Sequence, residues 1–416
     1  MNTKSPAKQL AFSAFFAVCA MEIAWSGIGW NTMSLYAPAV IEEFGCLRTE
    51  FMLCVTFISL CNSIINLFFY GKLVEIFGLK RFMLLSGILC TLSFGVFALS
   101  TSVYMMWASA ILFGIGIAGV NITTLNVVVD SWFKKNPARY CGMAQTFSAV
   151  AGVIFSALWG VLIIKLGWRP CFWITLVVSG LVTLAISVLY KGDPKQLGVT
   201  PMGIDEATAQ TEEGAALARG EDGISAKEMF KTKQFWMLAI GYVLLGIADY
   251  GILGNLSLFA NDLGYGNMAG TILSVALIAQ AASFLVLGPL TDRFGSRWSI
   301  ALTFFLLIIS AVILLTGKAS LFMMYLVGIM LGFADGAAQL PMGASTREAF
   351  GSKEFSKKVG TISGCCYFGV SFGPSVLTLF YDFSGSYNTG LIVFIGIAVV
   401  VSILMFPATK RVTHTK

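Results

Sequence analysis

Apolar residues along the chain arrive in long runs separated by short clusters of charged and turn residues. Runs near 10–38, 50–71, 82–100, 103–131, 140–165 and 170–190 precede a polar stretch, 191–233. Six more follow near 234–260, 267–290, 298–316, 320–346, 358–381 and 389–407. A helix needs about 20 apolar residues to cross the hydrocarbon core of a bilayer, and each run is of that order. The pattern predicts an all-α membrane protein with 12 transmembrane helices in two six-helix bundles. The bundles are 1–190 and 234–416, the second ending in a short tail, with a linker over 191–233. That linker is rich in Gly, Ala, Thr and Glu and has too little apolar content for a core, which predicts a mobile connection. The first run starts near Leu10, is long and contains Glu22, so it reads as a retained span and not as a cleaved signal peptide.

Composition agrees with a bilayer as the main solvent. Hydrophobic residues make up 57% of the 416 and charged residues 12%, with a mean hydropathy of +0.82. A soluble domain carries roughly twice that charged fraction. The cysteines (19, 46, 54, 61, 90, 141, 171, 365, 366) lie mostly inside apolar runs without paired spacing. With His414 as the single histidine, no Cys/His metal site is expected, and the cysteines read as small apolar residues.

Charge then sets orientation. With the amino terminus placed in the cytoplasm, all but Arg48, Lys165, Arg169 and Lys318 of the 27 Lys and Arg fall on the cytoplasmic side. This asymmetry predicts both termini inside. It also accounts for the net charge of +6 without any nucleic-acid partner.

Two segments repeat. GKLVEIFGLKR (71–81) follows the second run and GPLTDRFGSRW (288–298) follows the eighth, at equivalent places in the two halves. Ser34-Leu35-Tyr36 and Ser257-Leu258-Phe259 likewise end the first and seventh runs. A six-helix unit repeated in this way is one basis for alternating access. In the repeated segment a glycine permits the turn, and a carboxylate can cap the positive end of a neighbouring helix.

These segments resemble the major facilitator superfamily, over essentially the whole chain. That family's pattern after helix 2 is Gly-x-Leu-x-Asp-Arg-x-Gly-x-Lys/Arg-Lys/Arg. The second copy keeps Gly288, Leu290, Asp292, Arg293, Gly295 and Arg297, with Trp298 at the final basic position. The first keeps Gly71, Leu73, Gly78, Lys80 and Arg81, but has Glu75 for Asp and Ile76 for Arg. The resemblance implies a cytoplasmic gate made of these residues with Asp130 and Arg139. It also implies that helices 1, 4, 7 and 10 line a central cavity, with 2, 5, 8 and 11 beside them.

Asp130-Ser-Trp-Phe-Lys-Lys with Arg139 and Gly142, and Gly167-Trp168-Arg169, are similar to the monocarboxylate and oxalate–formate type branch. So are Asp193-Pro194 through Gly198, Pro201 and Gly203, and Phe235-Trp236. The branch implies a monocarboxylate-type cargo. Its members often carry a base in helix 8 or 11, where this chain has Gln280 and Tyr367 as the main large polar groups. Helix 5 lacks the Gly-Pro pair usual in drug-export members.

Ionisable residues deep in apolar runs are costly, and here there are three: Glu22, Asp249 and Asp335. All fall in helices implied to line the cavity. Trp25 and Ser26 share a helical face with Glu22. Tyr250 adjoins Asp249, and Asn121 and Asn126 are the polar residues of helix 4. Glycines at 114, 116 and 119, at 328, 332 and 336, and at 360, 364, 369 and 373 predict close helix approach.

The expectation is a secondary active transporter coupled to protons, moving a small organic solute by alternating access. It would act as a monomer, without cofactor, in a plasma membrane or bacterial inner membrane. Alternatives are a cationic or neutral solute, an uncoupled exchanger, or a transporter-like receptor. No nucleophile–base pair, metal cluster or phosphate loop points to an enzyme.

Overall fold

The computed structural model describes residues 6–203, 222–265, 268–316 and 320–408. Lys4, Lys318, Lys410, Arg411, His414, Lys416 and the middle of the linker, 204–221, lie outside the described residues. Twelve helices of the described chain are long and apolar enough to cross a membrane. They are α1 Ala7–Trp30, α2 Glu50–Phe77, α3 Leu79–Leu99, α4 Val103–Trp132, α5 Pro137–Leu166 and α6 Arg169–Leu189. The second six are α7 Lys233–Leu253, α8 Thr271–Phe294, α9 Ser296–Leu315, α10 Leu321–Phe350, α11 Phe355–Tyr381 and α12 Asn388–Met405.

The helix count agrees with the apolar runs, and the differences in boundary have local causes. The first run divides: α1 stops at Trp30, a 3₁₀ turn covers Met33–Tyr36, and a short helix Ala37–Phe44 opens with Pro38, which has no amide to donate. The seventh run divides in the same way, into α7 and Leu256–Asp262. Conversely α2 and α8 run through most of the repeated segment. The turn is confined to Gly78 (φ 74°) and Gly295 (φ 85°), a backbone region that only glycine enters freely.

Three spans are irregular near their middles. α1 is π-helical over Glu22–Trp30 and α2 over Ile65–Phe69. α4 breaks between Ile117 and Ile122, and the Asn121 side chain caps the lower half by accepting from the Thr123 amide (2.8 Å). Such interruptions concentrate at functional sites, since each redirects side chains away from the regular helical register.

Buried apolar residues gather into two clusters. One joins α1 to α6 and takes in Phe284, Leu287, Ala337 and Leu340 from α8 and α10. The other joins α7 to α12. Outer faces are apolar too: Ile164 is 87% exposed and Phe383 84% exposed, as a hydrocarbon solvent permits. The α2–α3, α4–α5, α8–α9 and α10–α11 turns lie at one end of the molecule, below called the basic end.

The linker differs from a wholly mobile connection, because both described parts are docked. Met202 pairs with the α4–α5 turn: its amide donates to the Trp132 carbonyl (2.8 Å) and its carbonyl accepts from Lys134 (2.9 Å). The second part pairs with the α10–α11 turn, through Ile224 N to Phe350 O (3.2 Å) and Lys353 N to Asp222 O (2.9 Å). Glu354 accepts from the Ala226 amide (2.8 Å), capping the short helix Ala226–Met229. Backbone pairing of this kind leaves no trace in composition.

Candidate functional site

Glu22 sits at the first residue of the π-helical stretch of α1 and is 2% exposed. Its carboxylate bonds Ser26, while Oε1 has no hydrogen-bond partner among the described residues. Glu22 is within electrostatic range of Tyr367 on α11, and Tyr367 in turn bonds Asn62 on α2 and lies within range of Asp335 on α10. The Asp335 carboxyl is in hydrogen-bonding contact with that of Asp249 on α7. Asp335 and Asp249 are thus in contact, and Tyr367 lies within electrostatic range both of Asp335 and of Glu22 in the other half.

Amides brace these groups on both sides. In the second half Gln280 Nε2 donates to Asp335 Oδ2, and Gln339 Nε2 donates to both its oxygens (3.0 and 2.9 Å). In the first half Asn62 Oδ1 accepts from Asn121 (3.0 Å) and Asn66 (2.7 Å). The two arrangements are related by the repeat: α2 contacts α4 through Asn62 and Asn121, and α8 contacts α10 through Gln280 and Asp335. Tyr250 closes the group, bonding Trp30 on α1 and lying within range of Asp249, Asp335 and Tyr367.

Eight of the sequence-selected residues thus meet: Glu22, Ser26, Asn121, Asp249, Tyr250, Gln280, Asp335 and Tyr367. Trp25 does not join them. The ring packs on Gly87 of α3, because a π-helical turn holds more than four residues and shifts the face that 3.6-residue spacing predicts. Asn126 is also elsewhere, against Gly343 of α10, where its Oδ1 accepts from Cys141 Sγ (3.4 Å). Sequence reading passed over Asn62, Asn66, Gln339 and Trp30, uncharged groups that do not stand out in an apolar run.

The basic end is bridged between halves at three seams. Asp292 of α8 accepts from the first amides of α5, Ala138 (3.0 Å) and Arg139 (2.7 Å), which is a carboxylate on a helix amino terminus. Gly288 and Gly142 let these two helices touch at the backbone. Asp130 of α4, 5% exposed, accepts from Arg347 (3.0 Å) and Ser352 (3.4 Å) across the boundary, and Lys134 lies 3.5 Å away. At the third seam Glu75 of α2 pairs with Lys357 of α11 at 2.6 Å, Gly71 lies against Lys357, and Ser63 Oγ donates to Gly364 O (2.8 Å).

The two copies of the repeated segment therefore differ in what the acid does: Asp292 caps a helix, while Glu75 makes an exposed ion pair. Ile76, at the position of Arg293, is 73% exposed. Arg81, Arg139 and Arg293 are exposed, and Arg293 lies over the Phe294 ring (5.2 Å). Arg297 lies in the first turn of α9, two residues after Gly295.

Twelve helices long and apolar enough to span a bilayer, in two related halves that meet around buried polar groups and are bridged at one end, define a multi-pass membrane protein. A profile of the Major Facilitator Superfamily matches residues 10–278 and 238–416, and the chain belongs to that family. It is 28% identical over 226 residues to the uncharacterised MFS-type transporter YhjX of Escherichia coli (strain K12), covering 54% of this chain and 52% of that protein. It is 22% identical over 187 residues to the MFS-type efflux pump LUC4 of Fusarium sp., 45% of this chain and 33% of that one. The chain thus matches about half or less of these relatives' length. The crystal structure of the human organic anion transporter MFSD10 (TETRAN) superimposes with a TM-score of 0.71 at 15% identity, over 97% of this chain and 100% of that one, a likeness of fold.

Proposed function

We propose that the protein is a proton-coupled secondary active transporter of a small organic solute, with Glu22, Tyr367, Asp335 and Asp249 as its substrate and proton pathway. The observation that carries this is the contact between the Asp249 and Asp335 carboxyl groups, with Tyr367 within electrostatic range both of Asp335 and of Glu22 in the other half. Carboxyl groups in contact, with no cation beside them among the described residues, are held together by a shared proton. Moving that proton on or off as the halves rock is the elementary step of coupling. The bridged seams then form the closed gate of one access state, and opening them gives the other. The loop-charge asymmetry supports a cytoplasmic basic end, both termini inside, in a plasma or bacterial inner membrane. The contacts within one chain suffice for the pathway, in keeping with a monomer.

The resemblance to the monocarboxylate and oxalate–formate branch implies a carboxylate cargo, for which a guanidinium or ammonium partner is expected. The cluster offers Gln280 and Tyr367 in that part of the fold, so dianions are poorly served.

The reading is tested by uptake into proteoliposomes with and without an imposed pH gradient, for a panel of carboxylates, amines and neutral solutes. At least one is expected to accumulate with the gradient, and Asp335→Asn should remove accumulation. Uptake indifferent to the gradient and to Glu22→Gln, Asp249→Asn and Asp335→Asn would leave an uncoupled exchanger instead.

A further inference from the structure

The stretch that carries the second half's share of two gate seams also carries the linker. Arg347 at the end of α10 and Ser352 in the α10–α11 turn reach Asp130, and Lys357 at the start of α11 reaches Glu75. Residues 222–226 dock on this same stretch. The Ser352 amide donates to Asp222 Oδ1 (3.2 Å), the Lys353 amide to Asp222 O (2.9 Å) and the Ile224 amide to Phe350 O (3.2 Å). Lys358, fully buried, donates to the carbonyls of Ile224 (3.3 Å), Phe350 (2.8 Å) and Gly351 (2.6 Å), so one ammonium ties linker and turn together. The fit is close, since a side chain at Gly223 or Gly351 would strike the backbone of the opposite segment.

Two residues of the turn face both ways. Ser352 gives its amide to Asp222 of the linker and its hydroxyl to Asp130 of α4, across the boundary between halves (3.4 Å). Glu354 takes the Ala226 amide of the linker (2.8 Å) and the Lys357 ammonium (3.0 Å), which also holds Glu75 of α2. The path through Ser352 is the stronger one, because Asp130 is buried whereas the Glu75–Lys357 pair is open to water.

We propose that residues 222–226 are a control element of the gate: seated on the α10–α11 turn, they hold Ser352 on Asp130 and favour closure of the basic end. Release of the segment and opening of the basic end are then linked, and each shifts the other by the same factor. A partner that captured the released segment would hold the basic end open. Neither the solute nor a coupled proton enters this linkage.

The test uses the full chain in lipid nanodiscs with two readouts. Hydrogen exchange of the Ile224 amide reads seating, and double electron–electron resonance between labels at Lys80 and Arg297 reads closure. Losing a charge-assisted hydrogen bond shifts an equilibrium about tenfold, so Asp222→Ala should quicken Ile224 exchange by about that factor. It should also add a longer label distance. Asp222→Asn, which keeps an oxygen for the Ser352 amide, should fall between Asp222→Ala and the unsubstituted protein. The reverse direction leaves the linker untouched: Asp292→Ala on α8 loosens the α5–α8 seam and should quicken Ile224 exchange in proportion to the longer-distance fraction. Ser352→Ala keeps the amide on Asp222 but removes the hydroxyl from Asp130. In that background the effect of Asp222→Ala on the distances should shrink by about threefold or more. Faster Ile224 exchange in Asp222→Ala with unchanged distances, or Ile224 exchange indifferent to Asp292→Ala, would show a docked linker without control of the gate. Unchanged Ile224 exchange in Asp222→Ala would overturn seating through that carboxylate, and additive effects of Asp222→Ala and Ser352→Ala would overturn Ser352 as the link.

Discussion

At the scale of single residues, charge was the legible signal. Glu22, Asp249 and Asp335 stand out because an ionisable group in an apolar run is costly; the structure sets Asp249 against Asp335, with Tyr367 in electrostatic range of both Asp335 and Glu22. Asn62 and Gln339 are as close to the chemistry, but an uncharged amide in a helix costs too little to be conspicuous. Trp25 packs toward Gly87 and off the face that 3.6-residue spacing gives it, because the stretch from Glu22 is π-helical. Gly343 shows a residue whose importance only contact reveals, since a side chain there would strike Asn126 across the α4–α10 seam. Overpacking costs about 1–3 kcal/mol, so Gly343→Val should raise the open fraction of this seam about tenfold. In a variant keeping only Cys141, whose thiol is buried beside Asn126, maleimide labelling should quicken by that factor. An unchanged rate would mean that the seam does not open at Gly343.

At the scale of elements, all twelve spans were readable from apolar length, but their ends were not. Extending α2 and α8 through the repeated segment depends on glycine placement, and splitting the first and seventh runs depends on local turns. The linker was the least legible element. Its composition predicts mobility, yet Asp222 and Ile224 pair with the backbone of the α10–α11 turn, and Gly223 (φ 89°) and Gly351 (φ 74°) make that approach possible. Glu354 anchors it: the Ala226 amide and then Lys357 stabilise the ionised carboxyl and hold its pKa below the usual carboxylate value. A depressed folded pKa contributes stability above the unfolded value, which is lost as pH falls through the folded one. Replacing a charge-assisted hydrogen bond by a neutral one costs about 1 kcal/mol, so Glu354→Gln should lower protection of the Ala226 amide about fivefold at neutral pH. Measured by hydrogen exchange corrected for intrinsic rates, this difference should vanish in acid, below the ordinary carboxylate range. A difference that persists there would show that the carboxylate charge is not what anchors the linker.

At the scale of the whole molecule, the doubled segment points to pseudo-symmetry, and the structure shows where the two copies part. Asp292 faces the amino terminus of α5, accepts two backbone amides and meets the positive end of the helix. Glu75 faces solvent, 54% exposed on its side chain, and holds Lys357, itself 30% exposed. An exposed pair of this kind is worth about 0–1 kcal/mol, whereas a carboxylate receiving two amides at a helix terminus contributes about 1.5–3 kcal/mol per charged hydrogen bond at most. The gate should therefore be lopsided, with the α5–α8 seam carrying more of the closure than the α2–α11 seam. Spin labels placed at Lys80 and Arg297, one on each half beside its copy of the segment, read the separation of the basic ends by double electron–electron resonance. Asp292→Ala should add a second, longer distance, because losing about 1.4 kcal/mol moves a two-state balance tenfold toward the open form. Glu75→Gln should leave the distribution close to that of the unsubstituted protein. The Asp130–Arg347 seam should fall between them, since Asp130 is buried but Arg347 is partly exposed and Lys134 remains as a second partner. If Glu75→Gln opened the molecule as far as Asp292→Ala, burial and helix capping would not be what distinguishes the two halves of the gate.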